Sequence, residues 1–186
     1  MAKLIYVTPT SLDGFLADET GNLNWSAPDE EVFAFITDVM RPIGTYLYGR
    51  KMYETMAVWE KPDVIPGYTA AMLDFARIWQ AADKIVYSRS LETVSTPKSQ
   101  IEREFDPQSV GGLKARLPHD VTIGGPNLAA QAIRTGLVDE YHLFVVPAML
   151  GSGNRVLRGD VGVPLELTDE RRFANGWVYL RYRKRA

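Results

Sequence analysis

The stretch over residues 121–133 constrains most strongly what this chain can fold into. Its apolar, partly β-branched beginning leads into two consecutive glycines, Gly124 and Gly125, and Pro126 then opens a helical pattern that Gly136 can close. Glycine has no Cβ, so a ligand can approach the main chain closely, and the first turn of a helix presents N–H groups without intrahelical partners. These residues predict a strand, a turn and a helix that suit an anionic ligand. A tight turn without a ligand would use the same residues.

The order of strand and helix signals predicts the fold class. Apolar runs typical of buried strands alternate with helical patterns along most of the chain. The runs cover residues 3–8, 45–48, 84–87, 121–123 and 141–146. We therefore expect an α/β three-layer sandwich whose central sheet is mostly parallel, with helices on both faces and a carboxyl-terminal antiparallel hairpin at Asn175 and Gly176. Because 186 residues show no linker or repeat, a single domain over residues 1–186 is expected.

Composition argues against several classes of function. The chain has 21 basic and 23 acidic side chains, so no net charge attracts nucleic acid or an anionic membrane. It has no cysteine and only His119 and His142, which gives little to build a metal site, a disulfide or a histidine-dependent triad. No signal-peptide pattern opens the chain, and no apolar run reaches the roughly 20 residues that span a bilayer. We expect a cytoplasmic protein that binds no metal, nucleic acid or membrane.

Glycine, hydroxyl and cationic residues also follow two other predicted strands. Gly49 is followed by Arg50 and Lys51, and Ser88 is followed by Arg89. The carboxyl ends of parallel strands share one edge of a sheet, and ligands bind beyond that edge. We expect these segments and the double glycine to form one site for a phosphorylated ligand, because bare backbone, helix amino termini and guanidinium groups all suit phosphate. Neither a G-x-G-x-x-G fingerprint nor a G-x-x-x-x-G-K-[ST] P-loop occurs.

The first predicted helix carries a candidate catalytic carboxylate. Ser26 fits the helix cap, Asp29 fits the acid three residues later in a capping box, and the helix then runs to about Met40. Phe33 lies on the apolar stripe of this helix, and Asp29 lies one turn earlier on the same stripe. We therefore expect the Asp29 carboxylate on the apolar side, where it can hold a substrate and assist proton delivery. The alternative is an acid that only caps the helix.

Several segments carry a resemblance to a known family. They are Ser11-Leu-Asp-Gly14, Tyr48-Gly-Arg-Lys-Met-Tyr-Glu54, Ile123-Gly-Gly-Pro-Asn-Leu128 and residues 138–153. Together they resemble the dihydrofolate reductase superfamily, and within it the branch that includes the reductase domain of bacterial riboflavin biosynthesis. The resemblance covers essentially the whole chain. It implies a dihydrofolate reductase-like sandwich and an NADPH-dependent reductase, often found as a dimer.

The resemblance implies roles at two of the strand ends. Gly49, Arg50 and Lys51 are similar to the segment that grips the cofactor diphosphate. Ser88 and Arg89 are similar to the pocket for the 2′-phosphate of the adenosine. An arginine at that position favours NADPH over NADH, because a guanidinium group pairs well with phosphate.

The resemblance also implies roles at the double glycine. Gly124 and Gly125 are similar to a pair joined by an unusual peptide bond beside the nicotinamide. Asn127 and Leu128 are similar to the start of the helix that faces the diphosphate. The nicotinamide is therefore expected at the end of this strand.

On the substrate side, the resemblance implies a ring held by residues before and within the first helix. Trp25 and Asp29 match, by their spacing before Phe33, the tryptophan and helix carboxylate that dihydrofolate reductases use around the pterin. Asp13 and Phe33 complete the predicted substrate-binding residues, and Asp29 is the predicted catalytic residue. The loop over residues 15–25 either closes over a ligand or packs on its own domain.

Departures from the riboflavin branch leave the substrate open. The first strand reads Ile5-Tyr-Val-Thr8 without the lysine usual in that branch, and no Asp-Asn-Pro segment follows the second strand. The leading hypothesis is an NADPH-dependent reductase of a small pterin-like or heteroaromatic substrate. The alternatives are 5-amino-6-(5-phosphoribosylamino)uracil reductase and a nucleotide-binding module without catalysis. The apolar run at residues 144–149, together with the resemblance, predicts a homodimer.

Overall fold

The backbone alternates strands and helices, and the computed structural model describes residues 1–158 and 161–185. The strands are β1 (Leu4–Ser11), β2 (Phe15–Ala17), β3 (Ile43–Gly49), β4 (Asp83–Tyr87), β5 (Ser99–Glu102), β6 (Asp120–Gly124), β7 (Glu140–Val146), β8 (Asn154–Arg155), β9 (Leu165–Arg172) and β10 (Val178–Lys184). The helices are α1 (Glu30–Met40), α2 (Arg50–Met56), α3 (Ala70–Ala81), α4 (Pro107–Arg116) and α5 (Pro126–Arg134). No helix in the described ranges is long and apolar enough to cross a membrane.

One large sheet confirms the predicted α/β fold. Its strand order is β5-β4-β3-β6-β1-β7-β10-β9. The strands from β5 to β7 in this order run parallel, and β10 runs antiparallel to both β7 and β9. The predicted hairpin at Asn175 and Gly176 joins β9 to β10. The segment over residues 15–25 is partly a strand, because β2 pairs with β8 in a small second sheet and buries Phe15.

Alternate side chains of the sheet pack against helices on opposite faces. Leu47 of β3 belongs to the core that includes Leu128 of α5, whereas Tyr46 and Tyr48 belong to the core that includes Trp79 of α3. Successive side chains of a strand point to opposite faces, so a strand covered on both sides is apolar throughout. The predicted three layers are therefore present, with α4 and α5 on one face and α1 and α3 on the other.

A buried ionic cluster lies at the start of β7. Glu140 is 4% exposed, and its carboxylate accepts hydrogen bonds from Lys3 at 2.7 Å and from Arg181 at 2.9 Å. One ring nitrogen of His142 lies 3.1 Å from this carboxylate, and the other lies 3.0 Å from the Tyr179 hydroxyl. Burial opposes ionisation of Glu140, but its hydrogen bonds with Lys3 and His142 and the charges of Arg181 and Lys3 outweigh it and hold the pKa at about 2. Burial also lowers the pKa of His142.

Candidate functional site

The carboxyl ends of β3, β4 and β6 form one rim, as the strand pattern predicts. These strands are parallel neighbours in the sheet, so the segments after their carboxyl ends lie side by side. Gly49, Ser88, Arg89, Asn127 and Leu128 line a common cavity of about 350 Å³, here called the strand-end cavity. At least one sequence-predicted residue from each of the three segments therefore lines this cavity.

Arg89 is accessible to an anionic ligand in the strand-end cavity. Its side chain is 82% exposed, and its contact with the Glu104 carboxylate spans 3.1 Å. An exposed pair of this kind contributes about 1 kcal/mol or less to stability. A phosphate group can therefore replace Glu104 as the partner of Arg89 at little cost.

Arg50 joins the start of α2 to the segment after β4. Its guanidinium group donates to Glu54 at 2.7 Å and to the Ser90 hydroxyl at 3.2 Å. Lys51 is exposed on the next position of α2 and does not line the strand-end cavity. These contacts place Arg50 at the rim, and the roles implied for Arg50 and Lys51 in binding diphosphate stay predictions.

Arg103 is a cavity residue that the sequence reasoning missed. Its guanidinium group donates to the backbone oxygens of Ser88 at 3.0 Å and Leu91 at 2.6 Å, and it lines the strand-end cavity. The parallel pairing of β5 with β4 sets Glu102 beside Tyr87 and so brings the next residue, Arg103, beside Ser88. The alternating pattern of residues 99–105 predicts an edge strand, but it does not identify the strand that becomes its neighbour.

The double glycine makes a tight entry into α5. Gly125 has φ +92°, a conformation that favours glycine, and no side chain caps the helix that begins at Pro126. A Cβ on Gly124 would lie 2.9 Å from the Tyr48 ring, so a larger residue does not fit there. The positive φ of Gly125 supplies the turn. The role that the resemblance implies for this glycine pair beside the nicotinamide stays a prediction.

A second cavity of about 230 Å³ lies between the sheet and α1 to α3, and is here called the apolar cavity. Phe33 lines it and packs against Trp59 and Phe75 with ring centroids 5.8 and 5.7 Å away. The role of Phe33 in substrate binding stays a prediction. None of the described residues that line it is charged. The sequence pattern around Trp59 predicts only a connecting segment, because it does not show that this segment folds back over α3.

Asp29 does not occupy the predicted inward position. Its side chain is exposed, and Oδ1 accepts a hydrogen bond from the backbone N–H of Val32 at 2.9 Å, so Asp29 itself is the N-cap of α1. Ser26 lies in a separate 3₁₀ turn, where its hydroxyl donates to the Leu23 oxygen at 2.8 Å. The predicted cap at Ser26 and the inward carboxylate are both wrong, because α1 starts only at Glu30 and its capping side chain folds over the first turn. The catalytic role of Asp29 stays a prediction.

Asp13 connects the turn after β1 to the loop after β7 through hydrogen bonds. Its carboxylate accepts hydrogen bonds from the Ser11 hydroxyl at 2.6 Å and from the backbone N–H groups of Gly151 and Leu150 at 2.7 and 3.1 Å. The Ser11 hydroxyl contributes most to lowering the pKa of Asp13 to about 2, and the two N–H groups add to it against an opposing effect of burial. This carboxylate positions the loop, and its predicted contact with substrate is untested.

Trp25 lies beside the apolar cavity. Its half-buried ring packs in the cluster that contains Phe144 and Trp177, which both line that cavity. The indole N–H is buried and has no hydrogen-bond partner in the described part of the chain. Trp25 is not among the residues that line the cavity. Its role in substrate binding stays a prediction.

The two cavities adjoin at the end of β3. Tyr48 lines the apolar cavity, and the next residue, Gly49, lines the strand-end cavity. Gly124 pairs with Tyr48 across the strands and also lines the apolar cavity. The linings of the two cavities therefore meet at this strand end.

Fold and site together define a mostly parallel α/β protein with two neighbouring cavities near the carboxyl ends of its strands. The family model for the RibD C-terminal domain matches residues 2–179. The chain therefore belongs to the RibD C-terminal domain family, in agreement with the resemblance seen in the sequence.

Individual proteins are similar to this chain in sequence or in fold. The uncharacterized protein YyaP of Bacillus subtilis (strain 168) is 28% identical over 187 residues, which cover 97% of this chain and 94% of YyaP. A protein from Shewanella sp. PV-4 that is named for riboflavin biosynthesis superposes with a TM-score of 0.76 at 18% identity, covering 100% of both chains. Dihydrofolate reductase from Enterococcus faecalis, complexed with NADP(H) and RAB-propyl, gives 0.66 at 14% identity, covering 99% of this chain and 97% of the reductase.

Proposed function

We propose that this protein is an NADPH-dependent reductase that transfers a hydride to a small heteroaromatic or pterin-like substrate. The observation that carries the proposal is a glycine- and arginine-bearing cavity that adjoins an apolar one. A dinucleotide needs donors for its phosphates at one end and an ordered, water-poor surface for its nicotinamide at the other. Membership of a reductase-type family supports the same activity. A cytoplasmic location belongs to the proposal.

The strand-end cavity offers suitable groups for the cofactor. Gly49 and the uncapped start of α5 at Asn127 and Leu128 would hold the diphosphate, since bare backbone and unpaired N–H groups suit an anion. Ser88 and Arg89 would hold the 2′-phosphate, which favours NADPH over NADH. Bound NADPH supplies a hydride, and the substrate gains this hydride and one proton as NADP⁺ forms.

Two alternatives are each favoured by one observation. The family match favours reduction of 5-amino-6-(5-phosphoribosylamino)uracil. The uncharged lining of the apolar cavity instead favours a substrate without phosphate at that position. The exposed position of Asp29 favours the second alternative, a nucleotide-binding module without catalysis, because it leaves that cavity without a carboxylate.

Cofactor turnover tests the proposal. Purified protein is mixed with NADPH and either dihydrofolate or the deaminated uracil intermediate, and absorbance of the reduced nicotinamide is followed. Loss of absorbance with one substrate identifies the reductase and its substrate class. Saturable NADPH binding without oxidation by either compound supports the module, and absence of NADPH binding rejects all three functions.

We propose that Asp29 delivers the proton from the rim of the apolar cavity, which the neighbouring Pro28 lines. Asp29→Asn should lower turnover about 100-fold, because positioned acid–base groups contribute about 10² to 10⁴. Cofactor affinity should not change. Asparagine caps a helix nearly as well as aspartate, so the free energy of unfolding should change by less than about 0.5 kcal/mol. Asp38→Asn, on the exposed side of α1, is the control. If Asp29→Asn keeps the turnover of the wild type, Asp29 only caps the helix and has no catalytic role.

We also propose that two copies associate through the loops beyond β1 and β7. Leu12 and Met149 are 68% and 73% exposed, and the backbone N–H of Leu12 donates to the Ala148 oxygen at 2.8 Å, so the two apolar side chains lie on adjoining loops. The predicted apolar run is only partly available, since Phe144 and Val146 are buried. Equilibrium sedimentation should give twice the mass of one chain, and Met149→Glu should shift it toward one chain. If the wild type sediments with the mass of one chain at working concentration, the proposed dimer is wrong.

A further inference from the structure

Tyr46 belongs to the lining of the apolar cavity and carries a buried hydroxyl. Its side chain is 0% exposed and lines the cavity. The hydroxyl has no hydrogen-bond partner among the described residues. Tyr48, two positions along the same strand and on the same face, has a hydroxyl that accepts a hydrogen bond from the Trp79 indole at 3.2 Å. One of these two neighbouring phenols is therefore paired within the protein, and the other is not.

The serine and threonine hydroxyls around the cavity are already used as donors. Thr8 donates to the Pro9 oxygen at 2.9 Å, and Thr122 donates to the Ile5 oxygen at 3.0 Å. Ser26 is likewise engaged with a backbone oxygen. A buried polar group without a partner costs stability, so its retention calls for a partner that comes from outside the chain.

The size and charge of the cavity restrict that partner. A volume of about 230 Å³ exceeds the roughly 150 Å³ of an engineered cavity that holds benzene and is below the roughly 300 Å³ at which drug-sized pockets begin. One or two fused rings fit this space. None of the described lining residues could neutralise a charge, so the occupant is uncharged where it meets this cavity. Burial raises the pKa of Tyr46 above its ordinary value, which keeps the phenol protonated and able to donate.

We propose that the Tyr46 hydroxyl donates a hydrogen bond to the carbonyl oxygen of an uncharged one- or two-ring aromatic substrate seated in the apolar cavity. This assignment rests on the proposed reductase function and narrows its substrate class. Tyr46 thereby positions the carbonyl-bearing ring next to Gly124, which lines the same cavity. Substrates that lack the acceptor leave the hydroxyl buried and unpaired, so they bind less well.

A matched pair of probes tests the hydrogen bond. The affinities of 1-indanone, which has a ring carbonyl, and of indane, which lacks it, are measured by calorimetry with the wild type and with Tyr46→Phe. Tyr46→Phe should weaken 1-indanone about fivefold, the size expected for one neutral hydrogen bond, and should leave indane unchanged. An equal affinity of 1-indanone for both proteins would overturn the proposal. A wild type that binds neither probe would overturn it as well.

A stability measurement separates ligand binding from a structural role. Tyr46→Phe removes an unpaired oxygen, so its Tm should equal that of the wild type or rise by about 2–4 °C. The control is Tyr53→Phe, since Tyr53 is also buried but accepts hydrogen bonds from the backbone N–H groups of Ser95 and Thr96. Tyr53→Phe should lower Tm and keep the preference for 1-indanone. A lower Tm in Tyr46→Phe would show that the hydroxyl stabilises the fold, and this result would overturn the proposal.

NADPH affinity, measured with the same proteins, distinguishes this inference from the proposed function. If NADPH binds to both the wild type and Tyr46→Phe while the two proteins bind 1-indanone equally, the reductase proposal stands and the Tyr46 assignment is rejected. If neither protein binds NADPH but Tyr46→Phe weakens 1-indanone, the reductase proposal is rejected and the Tyr46 hydrogen bond is supported.

Discussion

Arg89→Ala is expected to weaken NADPH binding about 10- to 100-fold, because a charge-assisted hydrogen bond to phosphate is worth about 1.5–3 kcal/mol. NADH lacks the 2′-phosphate, so its affinity should change by less than about threefold. Arg89 is suited to this role because its side chain is 82% exposed and its present partner, Glu104, holds it only at the surface. Dissociation constants for both cofactors, measured by fluorescence titration, give the comparison.

The controls for Arg89→Ala use other charged residues of the chain. Arg172→Ala removes the same charge from β9, at the opposite edge of the sheet, and should leave both cofactors unaffected. Glu104→Gln removes the carboxylate that competes with phosphate and should strengthen NADPH binding. The preference for NADPH should also fall as salt is added, since the site is exposed. Equal losses for NADPH and NADH in Arg89→Ala would contradict the assignment to the 2′-phosphate.

Glu140→Ala is expected to lower the free energy of unfolding by about 3 kcal/mol at pH 7. Removing one member of a buried ion pair costs about 3–5 kcal/mol, and the lower end applies here because Lys3 and Arg181 are 48% and 35% exposed and can be hydrated. Urea unfolding of the wild type and the variant measures the difference. Glu166→Ala is the matched control on β9, because its pair with Arg183 is exposed and should be worth less than about 1 kcal/mol.

The pH dependence of this difference has a definite sign. The pKa of Glu140 is about 2 in the folded chain and 4.5 ordinarily, so the unfolded chain takes up a proton first as the pH falls. The stabilisation by ionised Glu140 is complete above about pH 4.5 and is lost between pH 4.5 and 2. Wild type and Glu140→Ala should therefore converge in stability over that range. A constant gap from pH 7 to pH 3 would show that packing, and not charge, sets the effect.

The geometry of parallel strands made part of the site predictable from the sequence. Gly49, Ser88 and Asn127 are far apart in the chain, yet each comes after a strand pattern, and parallel strands bring their carboxyl ends to one edge. The sheet, its closing hairpin and the gathering of these residues could therefore be predicted. The binding roles of these residues are still predictions.

Other features of the site depend on local choices between nearly equal patterns, and the sequence did not predict them. A serine followed three residues later by an acid fits a capping box starting at Ser26, but it fits equally a helix capped by Asp29 itself, and the structure has the latter. Tyr46 lies in a predicted buried strand and Trp59 in a predicted connecting segment, and only the packed structure shows that they border a cavity. The Glu140 cluster was missed because Lys3 and Arg181 lie at opposite ends of the chain.

The composition of β9 has a consequence for how copies of this protein can assemble. This strand ends the sheet, and its exposed side chains include Glu166, Asp169, Glu170, Arg171 and Arg172. Charges along a terminal strand discourage another chain from adding to the hydrogen-bond ladder. The opposite margin, β5, has only four residues to offer as a template. Assembly by continuous sheet extension, and the fibre formation that can result from it, is therefore disfavoured at both margins.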